Sequence, residues 1–293
     1  PVSWDEALDI VAGKLNEIQA KGMRDEEGYP RLAASFGGGG TPQFYMGTFP
    51  AFLSAWGPVD MGFGSGQGVK CDHSEHLYGE FWHRAFIVAA DTPTTRYLIS
   101  CGSNIEASGG VAGVWRHANA RVRGMKRVQV EPHLSVTGAC SAQWVPIKPK
   151  TDPAFLYALI HVMLHEMPRE RLDLPFLKQR TGSPYLVGPN GYFLRDRASR
   201  KPLVWDAARG TACVHDTPGI DEALAEGLLS GSTGFDRLVE HMRPYSPEWA
   251  AGVCDVPAAT IRQIAHEYIE NACVGQTTEI DGRTLPYRPV AAT

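Results

Sequence analysis

The sequence predicts an α/β protein built on a parallel sheet. A buried strand, "RYLISCG" (96–102), is followed by a helical stretch over about 110–122 and a second strand, "RVQV" (127–130). "WVPIK" (144–148) adds a third strand, and "DPAFLYALIHVMLHEM" (152–167) a helix that begins with an acidic N-cap and a proline. Strands and helices that alternate at this spacing are typical of βαβ units, whose strands are parallel.

The elements before this unit follow from shorter patterns. Ser3 and Glu6 have the spacing of a capping box, and apolar residues at helical spacing then predict a helix over about 4–20. "RLAASF" (31–36) indicates a short buried strand. The stretch 41–80 is rich in glycine, proline and aromatic residues. A long irregular stretch of this kind is usually functional or disordered, and its aromatic content argues against disorder.

The elements after the unit are less regular. "GPNGYFLRD" (188–196) predicts a hairpin with an Asn-Gly turn, and "GIDEALAEGLL" (219–229) a short helix. A last helix is predicted over about 257–270, and the closing "GRTLPYRPVAAT" (282–293) shows no helical or strand ending.

The opening "PVSWDEALDIV" reads as the interior of a longer protein, so we expect a fragment whose export signal, if it has one, lies upstream. Three parts are expected: residues 1–90, 91–170 and 171–293.

Composition argues against several functional classes. Hydrophobic residues make up 43% and charged residues 20%, which is ordinary for a globular protein. The net charge of -4 argues against a nucleic-acid surface, and the basic residues between Arg116 and Arg127 are interpreted as a solvated helix face in preference to a phosphate site. No apolar run approaches the ~20 residues that span a bilayer. The six cysteines form no CxxC pair, which argues against an iron–sulfur cluster held by this chain alone and favours reduced, buried thiols.

Polar residues follow each of the three predicted strands. Gly102 lies in the loop 101–110, at the end of the first strand. Glu131 follows the second strand, and Thr151 and Asp152 follow the third. Ligands of open α/β sheets bind beyond the carboxyl ends of the strands, and an acid there can accept hydrogen bonds from ribose hydroxyls. Each loop alone is equally well an ordinary turn or a helix cap. Together the three favour a groove for a nucleotide.

The stretch "GQGVKCDHSEHLYGEFWHRAF" (66–86) concentrates reactive side chains. They are Cys71, Asp72, His73, Glu75, His76 and His83. The spacing C-x-H-x-x-H is not a usual zinc pattern. The alternatives are a buried structural thiol with hydrogen-bonded histidines, or a reactive or metal-ligating Cys71 or Asp72.

Four stretches carry a resemblance to a known family. They are "PVSWDEALDIVAGKL", "YLISCGSNIEAS", "VQVEPHLSVTGACSAQWVPIKPKTDPAFLYALIHVML" and "YSPEWAAGVCDVPAATIRQIAHEY". In these the chain resembles the central part of the molybdopterin oxidoreductases, the dimethyl-sulfoxide-reductase-like family of bis-molybdopterin guanine dinucleotide enzymes. The resemblance covers most of the chain and implies Rossmann-like α/β domains.

The resemblance also implies an activity. It implies a fragment of a molybdenum or tungsten oxidoreductase that performs two-electron chemistry on a small substrate by oxygen-atom, sulfur or hydride transfer. An iron–sulfur cluster is expected on a missing N-terminal part, and iron–sulfur partner subunits would carry the electrons. The isolated chain is expected to be inactive and free of cofactor.

By the same resemblance, the stretch 66–83 donates the protein ligand to the metal. Cys71 is favoured because a thiolate suits a soft metal, while the distance to a following glycine favours Asp72. His73 and His76 would move protons near the substrate, and Glu75 would orient one of them.

The resemblance assigns the nucleotide contacts as well. Asn104 and Glu106 match loop positions that contact the cofactor, Glu131 matches an acid for the guanosine ribose, and Asp152 matches an acid near the guanine. Gly102 and Thr151 lie in the same loops.

Two positions depart from the family pattern. His133 stands where relatives have an arginine, and Lys150 replaces a glycine, so the turn there is expected to be altered or to add a cation.

Two alternatives remain open. One is a non-catalytic scaffold with the same fold and no molybdenum, as in the large peripheral subunit of respiratory NADH dehydrogenase. The ligand-rich stretch 66–83 argues against it. The other is a stand-alone nucleotide-binding Rossmann-like enzyme, which the absence of a GxGxxG motif disfavours.

Overall fold

The computed structural model describes four stretches of the chain: residues 1–35, 44–62, 90–221 and 232–293. The chain forms two compact units, Pro1–Ala89 and Ala90–Thr293. Among the helices of the described residues, none combines the length and the apolar character needed to cross a bilayer.

The first unit contains two helices and two short strands. They are α1 (Trp4–Lys21), β1 (Ala33–Ser35), α2 (Phe44–Trp56) and β2 (Asp60–Gly62). The Ser3 hydroxyl accepts a hydrogen bond from the Glu6 amide at 3.2 Å, which caps α1 as predicted. β1 pairs with β2 in parallel, which confirms the strand predicted in "RLAASF".

The second unit begins with alternating strands and helices. They are β3 (Tyr97–Cys101), α3 (Ile105–Ser108), α4 (Gly110–Val122), β4 (Lys126–Glu131), α5 (Val136–Ala139), β5 (Gln143–Pro146) and α6 (Asp152–His161). The three strands and the helix over 110–122 confirm the predicted βαβ pattern. The helix predicted over 152–167 continues beyond α6 as a π-helical turn, Val162–Glu166. Its N-cap residue is Thr151 and not Asp152 as predicted, because Asp152 already has helical geometry.

The rest of the second unit consists of short hairpins and three longer helices. The elements are a 3₁₀ turn (Arg169–Arg171), α7 (Leu174–Arg180), β6 (Leu186–Val187), β7 (Leu203–Asp206), β8 (Thr211–Val214), β9 (Ser232–Thr233), α8 (Gly234–Met242), α9 (Pro247–Cys254), α10 (Ala258–Asn271), β10 (Thr277–Ile280), β11 (Arg283–Pro286) and β12 (Val290–Ala292). The predicted Asn-Gly turn is present, since the Gly188 amide donates to the Tyr192 carbonyl at 2.8 Å. The helix predicted over 219–229 lies almost wholly outside the described residues.

The central sheet has the strand order β12-β3-β4-β5, and all of its strands are parallel. The predicted α/β class with a parallel sheet is therefore confirmed. Residues 91–170 and 171–293 share this sheet, because β12 pairs with β3 and α10 packs on β3.

The closing segment was expected to have no regular ending, and that expectation is wrong. β10 and β11 form an antiparallel hairpin whose Asp281 and Gly282 have φ of 49° and 71°, the backbone of a tight Asp-Gly turn. β12 has three residues, too few to show an alternating pattern, and it becomes a strand by pairing with β3.

The two faces of the sheet differ in chemistry. On one face Val128 and Val130 of β4 are fully buried against the cluster that contains Phe155 of α6 and Ile261 and Ile264 of α10. On the other face β4 presents three polar or charged side chains that are also buried: Arg127, Gln129 and Glu131. Because side chains alternate along a strand, the polar and apolar residues of R-V-Q-V-E lie on opposite faces of the sheet.

The apolar face should dominate the stability of this unit. Ile261→Ala removes a side chain with no exposed surface, and we expect it to lower the free energy of unfolding by about 2–5 kcal/mol. The control Ile280→Ala, at a position 49% exposed on β10, should change it by less than about 0.5 kcal/mol. Urea denaturation followed by circular dichroism measures both, and equal costs would contradict the described packing.

Candidate functional site

The parallel strands bring three loops to one edge of the sheet. The Gly102 amide, just after β3, donates to the carbonyl of Val130 in β4 at 2.9 Å, so the two strands end side by side. Gly102 has a φ of +69° and open space where a side chain would begin, so a glycine lets the chain turn sharply here. The predicted grouping of the strand ends is present, and this edge is the candidate site.

A buried ion pair lies beneath the loop that follows β3. Arg127 Nη2 donates to Glu106 Oε1 at 2.7 Å, and the two side chains are 0% and 7% exposed. The same guanidinium donates to the Thr137 carbonyl at 3.0 Å and to Ser141 Oγ at 2.8 Å. It also lies 3.2 Å from His117 Nδ1. One side chain thereby joins α3, α4 and α5 to β4.

The interpretation of the basic residues between Arg116 and Arg127 as a solvated helix face is wrong for Arg127, whereas its place in the predicted strand 127–130 is confirmed. The residue belongs to β4 and its side chain points into the covered polar face of the sheet. Its charge is tolerated there because Glu106 and three further acceptors satisfy the guanidinium.

The same network fixes the protonation of its other members. Arginine has no acceptor atom, so His117 Nδ1 must accept and the ring must be neutral. Burial and the Arg127 charge accordingly lower the pKa of His117. Burial alone would raise the pKa of the Glu106 carboxyl, but hydrogen bonds from Arg127 and Thr137 outweigh it and hold that pKa below its usual value.

Thr137 joins this pair to Asn104. Its hydroxyl lies 2.5 Å from Glu106 Oε2 and 2.9 Å from Asn104 Oδ1, and it accepts from the Glu106 amide at 3.0 Å. The single hydroxyl proton goes to one of the two oxygens at a time. Glu106 is thus fully engaged within the protein, and its expected cofactor contact stays a prediction. The Asn104 side-chain nitrogen has no acceptor in the part of the chain that the structure describes, so it can donate to a ligand.

Glu131 lies at the end of β4 and closes the next loop. Its Oε1 accepts from the Ser135 amide at 2.8 Å and its Oε2 from Gln129 Nε2 at 3.0 Å. The carboxylate therefore caps the turn, which was one of the two alternatives predicted for it. The other alternative, a contact with the ribose, stays a prediction. A Cβ at Gly138 would overlap Glu131 Oε1, so any residue other than glycine there would displace the carboxylate from this position.

Gln129 carries an unused acceptor. Its Nε2 donates to the Ser103 carbonyl at 3.0 Å as well as to Glu131, which fixes the orientation of the amide group. Its Oε1 is buried and has no donor among the described residues. A buried acceptor without a partner costs about 1–3 kcal/mol, so the site has a place for a donor from water or a ligand.

In the third loop, a lysine has the backbone conformation that glycine usually adopts. Lys150 has a φ of +68°, the left-handed conformation that glycine adopts easily, and the expectation that this turn differs from that of relatives stays a prediction. The Lys150 side chain is exposed, as are those of Lys148 and His133. The edge therefore carries two cations and one titratable imidazole that can face an anion.

Asp152 lies close to the end of β3. The pKa of the Cys101 thiol is raised to about 11, first by burial and then by the negative charge of Asp152. The Asp152 carboxylate at the beginning of α6 thus acts electrostatically on Cys101 at the end of β3, although the two are some 50 residues apart in sequence. Asp152 itself is half-buried and can be reached by a ligand.

The predicted metal-facing residues cannot be placed. Cys71, Asp72, His73, Glu75 and His76 lie outside the described residues. Within the stretches that are described, no group of three or more His, Cys, Asp or Glu residues could hold a metal ion.

The thiols were predicted to be reduced and mostly buried. Cys101, Cys140, Cys254 and Cys273 are free. Of these four only Cys254 is buried, while Cys140 is exposed, so the expected burial is wrong for most of them.

The sequence reading overlooked Arg127, Gln129 and Thr137. Arg127 and Gln129 could have been found from the sequence, because polar residues at 127, 129 and 131 alternate with valine at 128 and 130. Thr137 gave no signal, because its partners are 31 and 33 residues away.

The described part of the second unit is a parallel α/β sheet with a polar, partly cationic carboxyl edge, the usual place of a nucleotide site in such folds. No model of a known protein family matches the chain. By sequence, the chain is related to the molybdopterin oxidoreductases, and the resemblance drawn from the four stretches is confirmed.

Two relatives support this relation. The chain is 26% identical to a sulfite dehydrogenase subunit of Allochromatium vinosum, over 91% of this chain and 28% of that protein. It is 24% identical to the molybdopterin-containing subunit of thiosulfate reductase of Salmonella typhimurium, over 91% of this chain and 26% of that protein. The chain thus spans about a quarter of the length of these relatives.

Among solved structures, acetylene hydratase from Pelobacter acetylenicus matches with a TM-score of 0.47 and 18% identity. The match covers 99% of this chain and 29% of that one.

The buried pair should show strong energetic coupling. Glu106→Gln leaves the Arg127 charge buried without its partner, and we expect a loss of about 3–5 kcal/mol in unfolding free energy. Arg127→Met should be similarly costly. The double variant should cost clearly less than the sum of the two, because neither charge is left alone. In the matched cycle on the exposed pair Arg243–Glu240, the two effects should simply add. Additivity at Arg127 and Glu106 would contradict the network.

The Cys101 thiol should react slowly near neutral pH, and its rate of alkylation should rise only at alkaline pH. With a pKa of about 11, only about one thiol in a thousand is ionised at pH 8. The rate of alkylation by iodoacetamide, resolved for this cysteine by peptide mass spectrometry, should rise about tenfold per pH unit from pH 8 to 10. Asp152→Asn should move the profile to lower pH, whereas the control Asp216→Asn should leave it unchanged. A plateau below pH 9 would contradict the assignment.

Proposed function

We propose that this chain is the nucleotide-binding central part of a molybdopterin-dependent oxidoreductase that carries out two-electron chemistry on a small substrate. One observation carries the proposal. Three consecutive parallel strands end at one edge, and each is followed by a polar loop, in a chain whose relatives include sulfite dehydrogenase and the molybdopterin-containing subunit of thiosulfate reductase.

The edge fits a polar, phosphate-bearing cofactor. The buried Gln129 Oε1 offers an acceptor that the described protein does not use, and Gly102 leaves open space at the end of β3. Lys148 and Lys150 supply positive charge beside the beginning of α6, where Asp152 can accept hydrogen bonds from a base.

The individual contacts form three groups, one after each strand. Gly102 and Asn104 after β3 would approach one part of the nucleotide, with the Asn104 amide nitrogen as donor. Glu131 and His133 after β4 would face the ribose and phosphate, and Thr151 and Asp152 after β5 the guanine. The Glu106 carboxylate holds Arg127 and Thr137 in place on the covered polar face of the sheet.

A bound molybdopterin guanine dinucleotide, carrying molybdenum or tungsten, would supply the two-electron redox chemistry. The protein residues bind and orient it and exclude water. In the proposal, Cys71 or Asp72 provides the protein ligand to the metal. His73 and His76 accept and release protons beside the substrate, and Glu75 orients one of these imidazoles.

The substrate and partners follow from the relatives. Sulfite and thiosulfate, named in the two relatives, are small sulfur oxyanions, so we propose a small oxyanion or sulfur compound. The relatives are subunits by name, and an iron–sulfur cluster with an electron-transfer subunit would carry the electrons.

Metal and pterin analysis of the full parent protein tests the proposal. We expect about one molybdenum or tungsten atom per protein, together with the pterin dinucleotide. Cys71→Ala or Asp72→Ala, whichever is the ligand, should abolish activity while the pterin is retained. Cys140→Ala, which removes an exposed thiol on another loop, should change neither.

Each other outcome has a defined meaning. A parent without metal and pterin would overturn the proposal in favour of a scaffold. Loss of activity in neither variant, with metal and pterin present, would overturn the role of the stretch 66–83 and leave the nucleotide site standing.

A further inference from the structure

His117 lies in the middle of the inner face of α4. It follows the buried Gly113 by four residues and precedes the buried Ala120 by three, and residues at this spacing share one face of a helix. Ala120 packs against Leu98 of β3 and Met125, so this face of α4 lies on the sheet. The half-buried imidazole is therefore held between the helix and the sheet.

The imidazole binds a buried cation through an acceptor nitrogen. Arg127 Nη1 lies 3.2 Å from His117 Nδ1, and the Arg127 side chain is 0% exposed. The contact requires an Nδ1 without a proton, because an arginine N–H can only donate. A proton on Nδ1 would place two donors, both on cations, against each other where little water can screen them. The two groups would then have to move apart.

The surroundings of the imidazole oppose its protonation. Burial acts first, and positive charge follows, from Arg127 on β4 and from Arg116 and Arg121 on α4 itself. Among the described residues that act on the ring, Glu106 of α3 is the anion. The segment 136–141 contains one titratable side chain, Cys140, whose recorded contact with this cluster is through its carbonyl, which accepts from Arg121 Nη1. Together, burial and the three arginines outweigh Glu106 and lower the pKa of His117.

We propose that His117 is an acid-sensitive switch for the loops at the carboxyl edge. In the neutral form its Nδ1 accepts from Arg127, and α4 stays packed on the polar face of the sheet. In the protonated form the imidazolium separates from Arg127, and α4 moves with it because the ring lies on the inner face of the helix. The guanidinium then loses one of the contacts through which it joins α3, α4 and α5, and the loops 102–109 and 132–141 loosen. The switch does not depend on the proposed function.

The switch acts in mild acid. Histidine in an unfolded chain has a pKa of about 6.5, and the pKa of His117 in the folded chain lies below this value. Below about pH 6.5 the unfolded state therefore binds more protons than the folded state, so the fold loses stability through this residue as the pH falls. The pKa of the Glu106 carboxyl lies below its ordinary value of 4.5, so its ion pair with Arg127 is intact at pH 5.5.

Hydrogen–deuterium exchange of the whole chain tests the switch. Wild type is compared at each pH with His117→Asn, whose Oδ1 can accept from Arg127 but does not titrate, so the intrinsic pH dependence of exchange cancels. The ratio of wild-type to variant exchange rates in the segments 102–109 and 132–141 should rise at least about threefold from pH 7.5 to pH 5.5. The ratio for α10, on the opposite face of the sheet, should change less.

Three further measurements separate the switch from a general effect of acid. The control His266→Asn, at an exposed position of α10, should follow wild type at both pH values. NMR of histidine-labelled protein, with the His117 signal assigned by its loss in His117→Asn, should show an Nδ1 without a proton at pH 7.5 and a pKa below 6.5. His117→Gln, which also carries an amide acceptor, replaces His117→Asn if circular dichroism shows that variant to be unfolded.

Four results would overturn the proposal. The first two are a proton on His117 Nδ1 at pH 7.5 and a pKa of His117 at or above 6.5. The third is an exchange ratio that is the same at both pH values, because the imidazole would then turn away without moving α4. The fourth is loss of the pH effect in His266→Asn, because another histidine would then be responsible.

Discussion

The buried Arg127 guanidinium is the interaction on which the candidate site depends. A cation on the covered face of a sheet is costly unless its donors find acceptors, and here Glu106, Thr137, Ser141 and His117 provide them. These acceptors come from three different helical segments. Satisfying one charge therefore fixes the positions of α3, α4 and α5 over β4, and with them the loops at the carboxyl edge.

The two faces of the sheet have different roles. The apolar face stabilises the fold, and the polar face positions the loops at the carboxyl edge. Valines and isoleucines against α6 and α10 provide apolar burial, which is tolerant of small changes in shape. The polar face depends on hydrogen-bond geometry, which is directional and less forgiving. Glu131 and Gly138 illustrate this, because the carboxylate lies so close to the Gly138 backbone that a side chain there would displace it.

Much of the fold could be predicted from local patterns. The three strands and the two longer helices between 96 and 167 were predicted because apolar periodicity and capping residues lie within each element, whereas the four-residue helices α3 and α5 were not predicted. β12 was missed because three residues carry no period, and only pairing with β3 makes them a strand.

The site was less predictable for a related reason. Sequence located the strand ends but not the partners of their side chains. The contact of Glu106 with a ligand stays a prediction, whereas its ion pair with Arg127, 21 residues away in sequence, was not predicted. Glu131 could equally cap a turn or hold a ribose, and the structure shows the first of these. Choices of this kind depend on long-range contacts, which no short motif encodes.

The pairing of β12 with β3 has a consequence for how the protein is made. Val290 lies beside Tyr97, although the two are about 190 residues apart in the chain. Until the ribosome has released β12, the outer edge of β3 has no strand partner and can pair with another exposed strand. The β3 edge of this sheet is therefore covered only after some 190 further residues have been made, and a messenger RNA cut short before the codon for Val290 would yield a chain prone to aggregate.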